Sequence, residues 1–153
     1  MPSPKAKTRS KARAASRLAA VQALYQRDME GTAIPVLLHE FHQHRLGATI
    51  EEVEYADADQ AFFDDIVQGV DARRDEIDRL IASKLADDWS FERLDKPMRQ
   101  ILRAGAYELL GRKDVPVGAV INEYLDVTDA FYDRREKGFV NGLLDAIAKE
   151  VRA

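Results

Sequence analysis

The sequence predicts an all-α fold, and three observations carry that prediction. Apolar residues recur every three or four positions in one segment after another. No stretch alternates β-branched with polar residues as a half-buried strand does, and the connections between periodic segments are mostly short. About seven helices in two small packed helical bundles are expected.

The first helix is expected from about Ser10 to Glu30, with Ala14, Leu18, Val21, Tyr25 and Met29 on one stripe and Gly31 as its stop. Residues 1–9 ahead of it include Pro2 and Pro4 and read as a flexible basic tail. Thr32 is placed to cap a second helix, in which Pro35 falls in the first turn, where its missing N–H has no intrahelical acceptor to lose. Val36, Leu37, Leu38 and Phe41 form its apolar face, and Gly47 marks its end. The acidic stretch GATIEEVEYADAD then connects to Phe62, Phe63, Ile66, Val67 and Val70, followed by Ile77, Leu80, Ile81 and Leu85. These are a third and a fourth helix, or one helix broken near Asp71.

Asp95 is read as the cap of the next helix and Pro97 as part of its first turn, with Met98, Ile101, Leu102, Gly105 and Leu109 on one face. A glycine in mid-helix costs about 1 kcal/mol relative to alanine, so Gly105 is expected to permit close approach of a neighbouring helix. Helical periodicity continues from Val117 to Phe131, and again from Phe139 to Val151. An N-terminal bundle is expected over about residues 10–74 and a C-terminal bundle over about residues 75–153.

A chain of 153 residues that is 46% hydrophobic and 33% charged can bury its own core. With no cysteine there is no disulfide, no thiolate metal site and no cysteine nucleophile, and a cytoplasmic setting is the default expectation. The N-terminus lacks an apolar signal region, and no segment approaches the roughly 18 consecutive apolar residues of a membrane span. His39, Glu40, His42 and His44 form the one histidine cluster, but on a helix His44 points away from the face shared by His39 and His42. The carboxylate pairs Asp64/Asp65 and Asp87/Asp88 diverge by about 100° as consecutive helical residues. No glycine-rich phosphate loop follows a strand, and no Gly-x-Ser-x-Gly elbow occurs. No catalytic residue, metal or cofactor is expected.

The charge is unevenly placed. Lys5, Lys7, Arg9, Lys11, Arg13, Arg17 and Arg27 precede the first acid, Asp28, whereas the rest of the chain sets 16 bases against 27 acids, a net of −11. Arg9, Arg13 and Arg17 recur every four residues, which on a helix confines them to a band of about 80°, a row of cations facing solvent. A merely solubilising surface mixes signs, whereas this segment excludes acids throughout. The asymmetry points to nucleic-acid contact, with an acidic protein partner or a lipid surface as rivals. The membrane reading is the weaker one, because an anionic leaflet repels the acidic body. That body also disfavours a broad duplex footprint, so a single RNA strand held by a short basic helix and stacking rings fits better. Tyr25 and Phe139 are the candidate rings, each with core packing at helical spacing as its alternative.

Five segments, in this order, resemble the NusB family of transcription antitermination factors. They are AVQALYQ (20–26), FFDDIVQGV (62–70), ILRAGAYELL (101–110), DVPVGAVINEYLDV (114–127) and GFVNGLLDAIA (138–148), within a similarity running from about Arg9 to Ala148. The resemblance implies an all-helical protein of two bundles and a non-enzymatic role. It implies pairing with NusE, a ribosomal protein that also acts in transcription, and binding of single-stranded boxA RNA in ribosomal leader transcripts within an RNA polymerase antitermination complex. RNA contacts are implied at Arg13, Arg17 and Tyr25 along the first helix and around Lys137 and Phe139 before and within the last.

The chain departs from the family in having Ala14 and Ala15 where bases are usual, while Lys5, Lys7, Arg9 and Lys11 lie upstream. The loop YDRREKGF is correspondingly basic, so Arg134, Arg135 and Lys137 are expected to compensate. The same domain precedes the catalytic part of certain RNA cytosine methyltransferases, but no Rossmann-like segment follows here. The remaining alternative is a protein-interaction module or self-associating regulator without direct RNA binding. The free protein is expected as a monomer or a homodimer.

Overall fold

The computed structural model describes residues 4–44, 49–50, 53–54 and 58–152, with side chains over 9–43 and 58–152. Among the described residues there are seven α-helices: α1 (Pro4–Glu30), α2 (Ile34–His44), α3 (Gln60–Ala72), α4 (Arg74–Ser83), α5 (Lys96–Gly111), α6 (Val117–Asp129) and α7 (Arg134–Val151). A 3₁₀ turn covers Phe91–Arg93. Two-residue strands β1 (Thr49–Ile50) and β2 (Val53–Glu54) pair antiparallel, Thr49 opposite Glu54 and Ile50 opposite Val53. The pair falls in the stretch read as an acidic connection. Thr49, Ile50 and Val53 are β-branched, but two residues per strand are too few to register as alternation. The side chains of Lys5, Lys7 and His44, and the Gly47 stop, lie outside the described residues.

Helix α1 starts at Pro4, earlier than the Ser10 read from the sequence. Proline at the first helical position loses no hydrogen bond, and the Lys, Ala and Arg residues that follow are good helix formers. The chain divides into two compact units, Met1–Gln68 and Gly69–Ala153.

In the first unit α1 packs against α2 and contributes small buried residues, Ala19, Ala20, Val21 and Ala23, while Leu37 and Phe41 of α2 and Phe62, Phe63 and Ile66 of α3 are the larger buried side chains. Phe41 stacks on Phe63 with centroids 5.5 Å apart, and Gln26 Nε2 donates to Glu40 Oε2 at 3.0 Å. Gly31, at φ +70°, adopts the left-handed conformation that closes α1, and its N–H donates to the Arg27 carbonyl at 2.8 Å. Thr32 does not cap α2. Ala33 holds the position before Ile34, and the Thr32 carbonyl instead accepts a hydrogen bond from Arg27 Nη1 at 2.6 Å.

In the second unit α5 is enclosed along most of its length, Gln100 through Leu109 being buried without interruption, and α4, α6 and α7 pack around it. Gly105 performs the task its position predicted, since a Cβ there would lie 3.0 Å from Leu144 Cδ2 on α7. Buried Arg103 makes a two-pronged ion pair with Asp78 of α4, Nε to Oδ1 at 2.8 Å and Nη2 to Oδ2 at 2.9 Å. Arg152, just past α7, donates to the carbonyls of Leu109 (2.7 Å) and Arg112 (2.9 Å), closing the C-terminal end of α5. The break between α3 and α4 comes at Arg73. Asp95 does precede α5, with Pro97 in the first turn, but its side chain makes no capping bond and accepts the Tyr132 hydroxyl instead.

Identical substitutions at two glycines should have opposite signs. A Cβ at Gly69 would fall 2.2 Å from the Tyr107 ring, whereas one at Gly142, inside α7, meets nothing within 4 Å. In thermal or denaturant unfolding, Gly69→Ala is expected to destabilise by about 1–3 kcal/mol. Gly142→Ala is expected to stabilise by about 0.5–1 kcal/mol.

Candidate nucleic-acid interface

The basic face of α1 changes character along its length. Arg9 and Lys11 are exposed, the Arg13 side chain is 28% exposed, and Arg17 is only 3% exposed. The solvent-facing row expected from the four-residue spacing therefore holds at Arg9 and ends at Arg17. The reason is the start of α3, which crosses α1 at this level. Both guanidinium groups lie over the buried Phe62 ring, Arg13 at 4.6 Å from its centroid and Arg17 at 4.9 Å. A cation above a ring face is attracted by the ring quadrupole, and more strongly where water is excluded.

The junction is built from backbone and side chain together. Asp59 N–H donates to the Ala12 carbonyl at 3.3 Å, and buried Ser16 Oγ lies 2.7 Å from the Asp59 carbonyl and 2.9 Å from that of Ala12. A hydroxyl has one proton, so Ser16 serves these two acceptors alternately. The Asp59 carboxylate caps α3 by accepting Phe62 N–H on Oδ1 at 3.0 Å, and its Oδ2 stands 3.9 Å from Arg13 Nε. That distance gives Coulomb attraction without a hydrogen bond. Arg13 Nε is buried and has no hydrogen-bond partner among the described residues.

Sequence reasoning singled out neither Ser16, Asp59 nor Phe62 for this site. The available signals were a polar residue among the alanines of the α1 seam, and an Asp three residues before an aromatic pair. Two turns beyond Arg17, Tyr25 is 38% exposed, so its ring is only partly covered by packing. Exposed Met29 lies one turn further on.

The second group of expected contacts surrounds the start of α7. Arg134 and Arg135 are exposed in its first turn, where the helix dipole adds positive potential. Arg135 and Phe139 are four residues apart and share a face, and the Phe139 ring is 39% exposed. Lys137 Nζ pairs with Asp129 Oδ2 at the end of α6 at 3.1 Å. A pair this open contributes at most about 1 kcal/mol, so the lysine can exchange one anion for another cheaply. The turn before α7 is anchored by Tyr132, whose hydroxyl donates to Asp95 Oδ2.

Elsewhere the polar clusters singled out from the sequence have structural partners or none nearby. His42 Nε2 lies 2.6 Å from Asp64 Oδ1, tying α2 to α3. Among the described residues no group of three or more His, Cys, Asp or Glu is arranged to hold a metal ion, and no helix is long and apolar enough to cross a membrane.

Comparison with known proteins adds an independent line. The model of the NusB family matches residues 14–149. A transcription antitermination protein NusB from Novosphingobium aromaticivorans is 70% identical over 142 residues, 93% of this chain and 96% of that one. Its counterpart from Sphingopyxis alaskensis is 65% identical over 144 residues, 94% and 97% of the two chains. Among solved structures, a chain in the crystal structure of the antitermination factors NusB and NusE in complex with double-stranded RNA superposes with a TM-score of 0.76 at 28% identity. That match covers 92% of this chain and 98% of the other. T. maritima NusB superposes with a TM-score of 0.71 at 28% identity, covering 98% and 94%.

The Tyr132 anchor has a titration signature. Burial, then the hydrogen bond to Asp95 and the charge of that carboxylate, push its hydroxyl above the ordinary tyrosine value. A group protonated in the fold and ionised in the unfolded chain stabilises fully below its unfolded value of about 10, and that contribution is lost as pH rises beyond it. Compared with Tyr132→Phe, the unaltered protein should show one additional tyrosine ionising above the ordinary range in an ultraviolet titration, and the replacement should flatten the alkaline fall in stability.

Proposed function

The chain belongs to the NusB family, and on that premise we propose that it is a non-enzymatic, cytoplasmic RNA-binding antitermination factor. It pairs with NusE and captures the boxA element of nascent ribosomal RNA leaders as a single strand, within an antitermination complex on RNA polymerase. The observation that carries this reading is α1 itself: a helix without an acid from Pro4 to Arg27, bearing Arg9, Lys11 and half-exposed Arg13, with the Tyr25 ring open to solvent.

In this reading Arg9, Lys11 and Arg13 meet phosphate, Arg13 being presented by Phe62 with the buried Arg17 over the same ring, and Tyr25 stacks on a base. On the second unit, Arg134, Arg135 and Lys137 supply further cations beside the Phe139 ring. A mostly acidic remainder discourages indiscriminate RNA binding and suits a basic ribosomal partner. The crystal structure of NusB and NusE with double-stranded RNA supports both RNA binding and NusE pairing. Joining NusE and RNA on one scaffold raises effective concentration, so neither contact needs to be strong alone.

Titration of a fluorescent boxA strand against salt tests the electrostatic part. Four or five phosphate contacts predict a slope of log K on log salt near −3, at about −0.7 per phosphate. Arg13→Gln should make that slope shallower by about one contact, and a duplex of the same sequence should bind less tightly than the single strand. Salt-independent binding would contradict the reading.

Replacing Arg134 and Arg135 together by Ala should weaken boxA capture at low salt, and adding NusE should strengthen capture by the unaltered chain. A mobility shift without NusE enhancement would contradict the pairing. In sizing experiments a homodimer that buries its RNA face should dissociate as boxA is added, whereas a self-associating module without RNA binding should not respond.

A further inference from the structure

The α1–α3 junction places a carboxylate of the protein itself against one of the cations that RNA would use. We propose that Asp59 is an internal competitor for Arg13, a specificity-determining residue that RNA phosphate must displace and that suppresses binding of non-cognate polyanions. This inference rests on the RNA-binding reading of α1.

Asp59 is fixed at three points: its N–H on the Ala12 carbonyl, its own carbonyl on Ser16 Oγ, and Oδ1 on Phe62 N–H. Its remaining carboxylate oxygen is thereby aimed at Arg13, and the side chain is still 32% exposed, so a ligand can reach the pair. Asp59 neutralises Arg13 without satisfying it. At 3.9 Å the contact is Coulombic only, and the Nε donor has no acceptor among the described residues. Nε itself is buried, so a phosphate meets the exposed remainder of the Arg13 side chain, where an oxygen at about 2.7–2.9 Å makes the charge-assisted hydrogen bond that the more distant Asp59 carboxylate does not. An anion held further away gains nothing over the carboxylate already present, and this difference is the basis for discrimination.

The shared ring strengthens the argument. Arg13 and Arg17 are drawn to one Phe62 ring, at 4.6 and 4.9 Å from its centroid. The Asp59 carboxylate, 3.9 Å from Arg13 Nε, offsets the Arg13 charge in the free protein. Once a phosphate arrives it takes over this role, and Arg13 is already in place for it. Asp59 is thus a positioning residue for the free state and a competitor for the bound state.

Asp59→Asn separates these effects from folding, because asparagine caps a helix as well as aspartate does. Asp59→Ser supplies a second neutral cap, and circular dichroism checks that the helices persist. Binding of single-stranded boxA RNA and of an unrelated strand of equal length would be measured for each variant at low and high salt. The proposal expects both variants to bind both strands about two- to fivefold more tightly at low salt, the range for a half-exposed ion pair. The unrelated strand should gain at least as much as boxA, and the gain should shrink at high salt.

Unaltered chain that binds RNA with a steep salt dependence, beside folded variants with equal or lower affinity, would overturn the role of Asp59 and leave the RNA reading standing. Absence of salt-dependent binding in the unaltered chain and both variants would overturn both.

Discussion

The packing of two arginines of α1 on one phenylalanine of α3 is the constraint on which the functional face of the first unit depends. Long cationic side chains lose rotamer freedom when a ligand immobilises them, and a ring that already restrains Arg13 removes part of that loss before RNA arrives. The cost appears elsewhere in the junction. Arg17 is withdrawn from solvent, a buried Arg13 donor is left without a hydrogen bond among the described residues, and Ser16 must divide one proton between two carbonyls. Such groups are tolerated when the surrounding fold holds them firmly, and here the bonds that fix Asp59 to Ala12, Ser16 and Phe62 do so.

The second unit follows a different logic. Its centre is a helix buried on nearly every side, and the polar groups on that helix are matched individually: Arg103 by Asp78, and the terminal carbonyls by Arg152. A buried ion pair adds little net stability compared with an apolar pair, but removing one partner is costly, so it fixes the register between α4 and α5. The exposed features of this unit, Arg134, Arg135 and Phe139, then sit on a rigid α7 whose opposite face packs through Val140, Leu144 and Ile147. Rigid elements place recognition groups more precisely than loops do.

Helical periodicity carried most of the architecture because each α-helix has an apolar stripe long enough to read locally. Pro97 in the first turn of α5, the stop at Gly31 and the close approach at Gly105 each followed from one residue's own chemistry. The burial of Arg17 did not, since the four-residue spacing is equally compatible with a solvent row and with a row partly covered by a distant segment. Only the pairing of α1 with the residues around Asp59 and Phe62 decides between them. Tyr25 and Phe139 were ambiguous for the converse reason, because helical spacing alone does not distinguish a core ring from one left open to solvent. Thr32 and Asp95 have the right residue types for caps, yet Thr32 stands one residue too early, Ala33 preceding Ile34, and Tyr132 claims the carboxylate of Asp95. A tertiary partner overrode local preference at Asp95.

The most direct test of the central claim, that the cations of α1 receive the RNA strand from a ring-supported position, is to follow the arginine Nε–H resonances by nuclear magnetic resonance during titration with single-stranded boxA RNA. The Arg13 signal, from a guanidinium held over the Phe62 ring and part-exposed beyond its buried Nε, should shift as phosphate binds that group. Arg13 and Arg17 signals that stay unchanged at saturating RNA, in a chain that nonetheless binds the strand, would contradict the account.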